Sequence, residues 1–123
     1  MPSNTTYDLS ACCCGAECFG CTDPLPTDLV ATLSNCMTGT VNLTWNGTLW
    51  SGTFTCGGFT VTLEFLCDAA TGTVRTVQAS HPECEESQAV TFNSCSPLSV
   101  SGQLPSLGSC TCCGGTLQIE ITE

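Results

Sequence analysis

Lysine is absent from this 123-residue chain, and arginine occurs once, as Arg75. Eleven carboxylates against one guanidinium leave a formal net charge of -10. Nucleic-acid binders neutralise phosphates with Lys and Arg, so that class of function is not expected. An anionic membrane surface would repel the chain, whereas cations and basic patches on other proteins would be drawn to it. Solubility is the simplest consequence of the charge. Histidine also occurs once, as His81. Any Ser-His-acid arrangement would have to use it, and it sits in an acidic stretch, Ser80-His81-Pro82-Glu83-Cys84-Glu85-Glu86, that reads as a solvated loop. No G-x-S-x-G elbow is present. The clustered acids resemble a surface charge run more than a spaced pair for acid–base work. The sequence therefore predicts no catalytic residues and no cofactor.

Long apolar runs are missing as well. None approaches the ~20 residues of a membrane-spanning helix, so no membrane insertion is expected. Met1 to Ser10 has neither the basic start nor the apolar stretch of an export signal. No segment carries a 3.6-residue apolar period, so helices are not expected.

What the chain has in abundance is cysteine: Cys12, Cys13, Cys14, Cys18, Cys21, Cys36, Cys56, Cys67, Cys84, Cys95, Cys110, Cys112 and Cys113. Thirteen in so short a chain marks a disulfide scaffold of an oxidising compartment. Two other fates compete. Cys18-Phe19-Gly20-Cys21 is a C-x₂-C knuckle, and Cys110, Cys112 and Cys113 with His81 would complete a tetrahedral zinc site. Glu83, Glu85 and Glu86 would attract calcium but lack the alternating Asp pattern of a calcium loop. A redox C-x-x-C needs a βαβ context that is absent. The single cysteines from 36 to 95 are dispersed at expected strand ends and loops, which suits cross-links better than a cage. All thirteen are therefore disulfide candidates and no metal ligand is assigned. An odd number leaves one sulfur over, for another chain or another use.

From residue 27 the pattern is β. Leu29, Ala31 and Leu33 alternate with polar or smaller residues, as do Val41, Leu43 and Trp45, then Trp50, Phe54 and Cys56, then Phe59, Val61, Leu63 and Phe65. Asn46-Gly47 and Gly57-Gly58 are hairpin signals between them. The segment 73–79 follows the turn at 68–72, and strands resume over 89–93, 98–104 and 115–123. The expectation is a single all-β domain. An irregular Cys-rich arm over 1–26 precedes a disulfide-rich antiparallel β-sandwich of seven or eight short strands over 27–123. If the first three strands are consecutive in the sheet, Cys36 and Cys56 end on the same side, within reach of a bridge. Trp45 shares a face with Val41 and Leu43 and belongs to the core. Trp50 is the candidate contact for a surface glycan.

Several short stretches resemble small Cys-rich β modules of planctomycete-type bacterial surface proteins and bacteriophage-derived sequences. They are the Cys12-Cys13-Cys14 run, Pro24-Leu25-Pro26, "LTWNGTLWSG" at 43–52, Cys56-Gly57-Gly58, Cys95-Ser96-Pro97-Leu98 and Cys112-Cys113-Gly114-Gly115-Thr116. The triple cysteine exceeds the pair usual in that group. The resemblance implies a fold and little about activity. Together with the missing export signal, the cysteine content leads to an expectation of a non-enzymatic, extracellular structural protein of a phage virion. Capsid decoration, a head fibre or a tail-associated piece would fit, oxidised after lysis and attached to other protein subunits. A carbohydrate-binding or adhesive surface module and a zinc-stabilised binding domain are the alternatives.

Overall fold

The computed structural model describes residues 26–68, 71–78, 81–95, 97–104 and 116–123. They form nine strands: β1 Asp28–Asn35, β2 Gly39–Trp45, β3 Trp50–Cys56, β4 Phe59–Asp68, β5 Thr71–Gln78, β6 His81–Ala89, β7 Thr91–Cys95, β8 Leu98–Leu104 and β9 Leu117–Thr122. All neighbours are antiparallel. Among the described residues no helix is long and apolar enough to cross a membrane. The expected arm over 1–26 lies outside the described residues apart from Pro26.

The alternation read from the sequence sets the inner face. Leu29, Ala31 and Leu33 of β1, Leu43 of β2, Leu63 and Phe65 of β4, and Leu117, Ile119 and Ile121 of β9 are all buried. Their polar neighbours point outward. Each fully buried aliphatic or aromatic side chain of this kind contributes ~1.5–3 kcal/mol relative to exposure. At Gly57-Gly58 both residues have positive φ, +61° and +86°, which glycine adopts without a Cβ penalty and a two-residue hairpin requires. The Asn46-Gly47 hairpin is longer than its signal suggests, with residues 46–49 between β2 and β3. Asn46 Oδ1 accepts hydrogen bonds from the backbone N–H groups of Thr48 and Leu49 at 2.9 and 3.0 Å. The Asn46 side chain thus satisfies two donors that a tighter turn would have left to the ladder.

Two expectations are corrected. The acidic stretch after Ser80 is not a loop: it forms β6, paired to β5 from Thr73↔Ala89 to Gln78↔His81 with a register shift near Val77. An edge strand has only one ladder partner, so its sequence need not alternate as an interior strand's does. The expected strand over 89–93 is likewise divided, because β6 ends at Ala89, Val90 interrupts, and β7 begins at Thr91.

The second correction concerns architecture. In place of two packed sheets the strands form one continuous sheet in the order β6-β5-β4-β3-β2-β1-β9-β8-β7, curled until it is nearly a barrel. The chain itself enforces the curl. The edge strands β6 and β7 lie at opposite ends of the order, yet Val90 alone separates them in sequence. Two peptide links span ~7 Å at most, so the edges must meet at that corner. Val90 N–H donates to the Gly72 carbonyl at 3.0 Å. Its side chain sits where a Cβ on Gly72 or Gly102 would be, 2.9 and 3.1 Å from the nearest Val90 methyls. An aromatic series stiffens the interior: Trp45 to Trp50 at 4.5 Å between centroids, Trp50 to Phe65 at 5.4 Å, and Phe65 to Phe92 at 6.5 Å. The last contact joins β4 to edge strand β7, across the mouth of the curl.

Candidate functional site

The residue expected to meet a ligand does not face solvent. Trp50 is 0% exposed. It lies against Trp45 and Phe65, and its indole N–H donates to the Pro26 carbonyl at 2.9 Å. A buried indole usually finds such a partner, and here the bond ties the segment before β1 to the start of β3. Trp50 is a core residue, which corrects its assignment as a glycan contact.

Of the cysteines, Cys12, Cys13, Cys14, Cys18, Cys21, Cys110, Cys112 and Cys113 lie outside the described residues, as does the Cys84 side chain. The zinc alternative and the bridges of the N-terminal arm rest on those positions. Cys36 and Cys56 stand just beyond or at the ends of β1 and β3. Both strands run antiparallel to β2, so these two residues are at the same end of the sheet, as their spacing predicts. Cys67 is buried in the core at 5% exposure, opposite Gly72. Among the described residues no group of three or more His, Cys, Asp or Glu stands close enough to hold a metal ion.

The single guanidinium is fully committed. Arg75, in the middle of β5, faces Glu64 on β4 and reaches Glu85 on β6. Its Nε donates to Glu64 Oε1 at 2.7 Å and its Nη1 to Glu85 Oε2 at 2.9 Å, while Nη2 also pairs with Glu64. The hydrogen bond to Glu64 holds the Arg75 pKa above its ordinary value; partial burial opposes this, and Glu85 adds to the rise. This cation thus binds edge strand β6 to β4 across β5. On the other side of β5, Thr76 and Gln78 point into the interior, each 2% exposed. Among the described residues, Thr76 Oγ1 and Gln78 Nε2 have no hydrogen-bond partner there.

The structure assembles a cleft that the sequence did not announce. It lies where the edges of the sheet approach each other without a ladder and has a volume of about 520 Å³. The end of β6 supplies Gln88 and Ala89, and β7 supplies Thr91. From β8 come the outward-facing Ser101 and Gln103, with Gly102 between them; Thr116 and Gln118 close the β9 side. None of these side chains is ionisable. Gln103 and Gln118 are register partners, and Gln103 Nε2 donates to Gln118 Oε1 at 2.7 Å. Ser101 Oγ accepts from Asn93 Nδ2 at 2.8 Å. The volume lies within the ~300–1,000 Å³ of small-molecule sites. Outward polar residues on separate strands carry no local signal, and only the closing of the sheet brings them together.

No protein family, curated protein or solved structure matches this chain.

Proposed function

We propose that this chain is a non-enzymatic, disulfide-stapled structural protein of an extracellular particle, a bacteriophage virion accessory protein of the decoration, head-fibre or tail-associated kind. The resemblance to Cys-rich β modules of surface and phage-derived proteins points the same way. The observation that carries the proposal is the sulfur content, thirteen cysteines in 123 residues. It is supported by the placement of Cys36 and Cys56 at one end of the sheet, just beyond the end of β1 and at the end of β3. Each bridge would add ~2–4 kcal/mol by restricting the unfolded chain, which suits a body that works outside a cell. The pairing of Arg75 with Glu64 and Glu85 is further support, because it gives the one guanidinium a structural role across β4, β5 and β6. Attachment to other subunits would use a terminal strand of the sheet, β6 or β7, each of which has a ladder on one side only.

Two measurements test this. Intact mass with and without reduction counts the bridges, each gaining two hydrogens. Complete reduction as purified, or one stoichiometric zinc with four free thiols, would overturn the disulfide framework in favour of a metal-dependent fold. Antibody against the chain should label particles pelleted from a lysate of the source culture. Labelling of intact cell surfaces and not of particles would move the assignment to an adhesive surface module.

A further inference from the structure

We propose that the cleft between β6 and β8 is a binding site for a neutral saccharide. The proposal stands apart from the particle assignment, since the cleft belongs to the chain wherever the chain resides.

The ligand class follows from the chemistry of the lining. On a chain of net charge -10, an anion would be repelled, and the described lining residues include no carboxylate to hold a cation, Glu120 standing beside the cleft opposite Ser101. Ala89 is the one apolar side chain among the described lining residues, so an aromatic or aliphatic ligand gains little buried area there. What remains is a neutral molecule dense in groups that both donate and accept, which is the character of a sugar hydroxyl.

The side chains are set for such groups before any ligand arrives. Because one hydrogen of Gln103 Nε2 goes to Gln118 Oε1, the amide pair is held with Gln103 Oε1 as an acceptor and Gln118 Nε2 as a donor for a ligand. A pair of neighbouring hydroxyls could answer both. Because Ser101 Oγ already accepts from Asn93, its own hydroxyl hydrogen is available to donate outward. Gln88 of β6 lines the far side of the seam, and Thr91, the register partner of Ser101, stands beside it on β7. Side chains held by one hydrogen bond lose less freedom when they make the next, which lowers the entropic cost of binding. Without an aromatic platform the affinity of one site will be low, and several copies on one body would be needed for tight attachment.

The test is a glycan array carrying neutral, sialylated and sulfated oligosaccharides, followed by calorimetric titration of the best-retained neutral glycan. The expected result is retention of neutral glycans, with affinity falling roughly tenfold in Gln118→Leu, the magnitude of one lost hydrogen bond to ligand. Ser101→Ala, which removes one hydroxyl and cannot disturb the core, should weaken the same glycan. Near-ultraviolet circular dichroism of both variants should match the parent. Retention of charged glycans only, no neutral glycan retained, or binding unchanged in both variants would each overturn the proposal.

Discussion

Gly52 provides the sharpest test of how the sheet is bent. It lies in β3 beside β2, where only Thr44↔Ser51 and Trp45↔Trp50 are paired. A Cβ at this position would collide with the Asn42 carbonyl oxygen and stand 2.9 Å from Val41 Cγ1 and 3.2 Å from the Asn42 carbonyl carbon. Carbon atoms rest at ~3.5–4.0 Å, and the obstacle is backbone, which cannot rotate aside. Gly52→Ala must therefore push β3 away from β2. Overpacking of this kind costs ~1–3 kcal/mol, and loosening the adjacent ladder bond costs ~1 kcal/mol more. Alanine returns ~0.4–1 kcal/mol by narrowing the unfolded ensemble. The net loss is about 2–3 kcal/mol, or roughly 6–15 °C in melting temperature for a chain of this length. Thermal unfolding with the cysteines in the same redox state as the parent reads the shift. Tryptophan fluorescence reads it independently, because the Trp45–Trp50 pair lies two positions along the same ladder. At an open strand position the same substitution would be neutral or stabilising. A variant as stable as the parent would show that β2 and β3 do not approach as described.

Four further substitutions test separate features. Thr76→Val should raise stability by ~1 kcal/mol in urea unfolding, since it removes a buried hydroxyl that has no partner; a loss would mean that the hydroxyl is bonded. Trp50→Phe should cost about 2 kcal/mol, by stranding the Pro26 carbonyl and shrinking a fully buried ring, while leaving glycan retention on the array unchanged. Phe92→Ala should speed hydrogen exchange in β7 and β8 more than in β1 to β4, because it removes the contact with Phe65 that holds the edge strand in. Arg75→Met should cost no more than ~1 kcal/mol in urea unfolding, because the pairs are partly exposed. The sign with pH follows from the raised Arg75 pKa: that contribution is fully present below the unfolded value and is lost only as pH rises through the higher folded value.

Residues whose partners are consecutive in sequence were the legible ones. The inner faces of β1, β2, β4 and β9 follow from alternation, β8 has the bounds 98–104 expected for it, and Gly57-Gly58 marks its own turn. Alternation tells which side chains are inward. It does not tell whether the inward faces belong to two flat sheets or to one curved sheet, since both bury the same residues. That difference depends on Val90, a single residue with no special composition, between β6 and β7. Strand β6 was hidden because its charges read as loop, while their satisfaction by Arg75 appears only once β5 is alongside. Trp50 was placed on its proper face, but its burial depends on Phe65 and Pro26, neither adjacent to it in sequence. The cleft was illegible for the same reason, being built from the outward residues of strands far apart in the chain.

The place of β9 has a consequence for how the protein is made. The last strand lies between β1 and β8, with Leu117 to Thr122 opposite Asn35 to Val30. Strands β1 to β6 leave a ribosome as a meander whose first strand keeps a bare edge until β9 has been made. Closure therefore waits for β9, and such distant pairings form slowly because the intervening chain must be ordered first. During that interval the exposed β1 edge is a template for other chains. The pairing of β9 with β1 therefore has to outrun encounters between nascent chains.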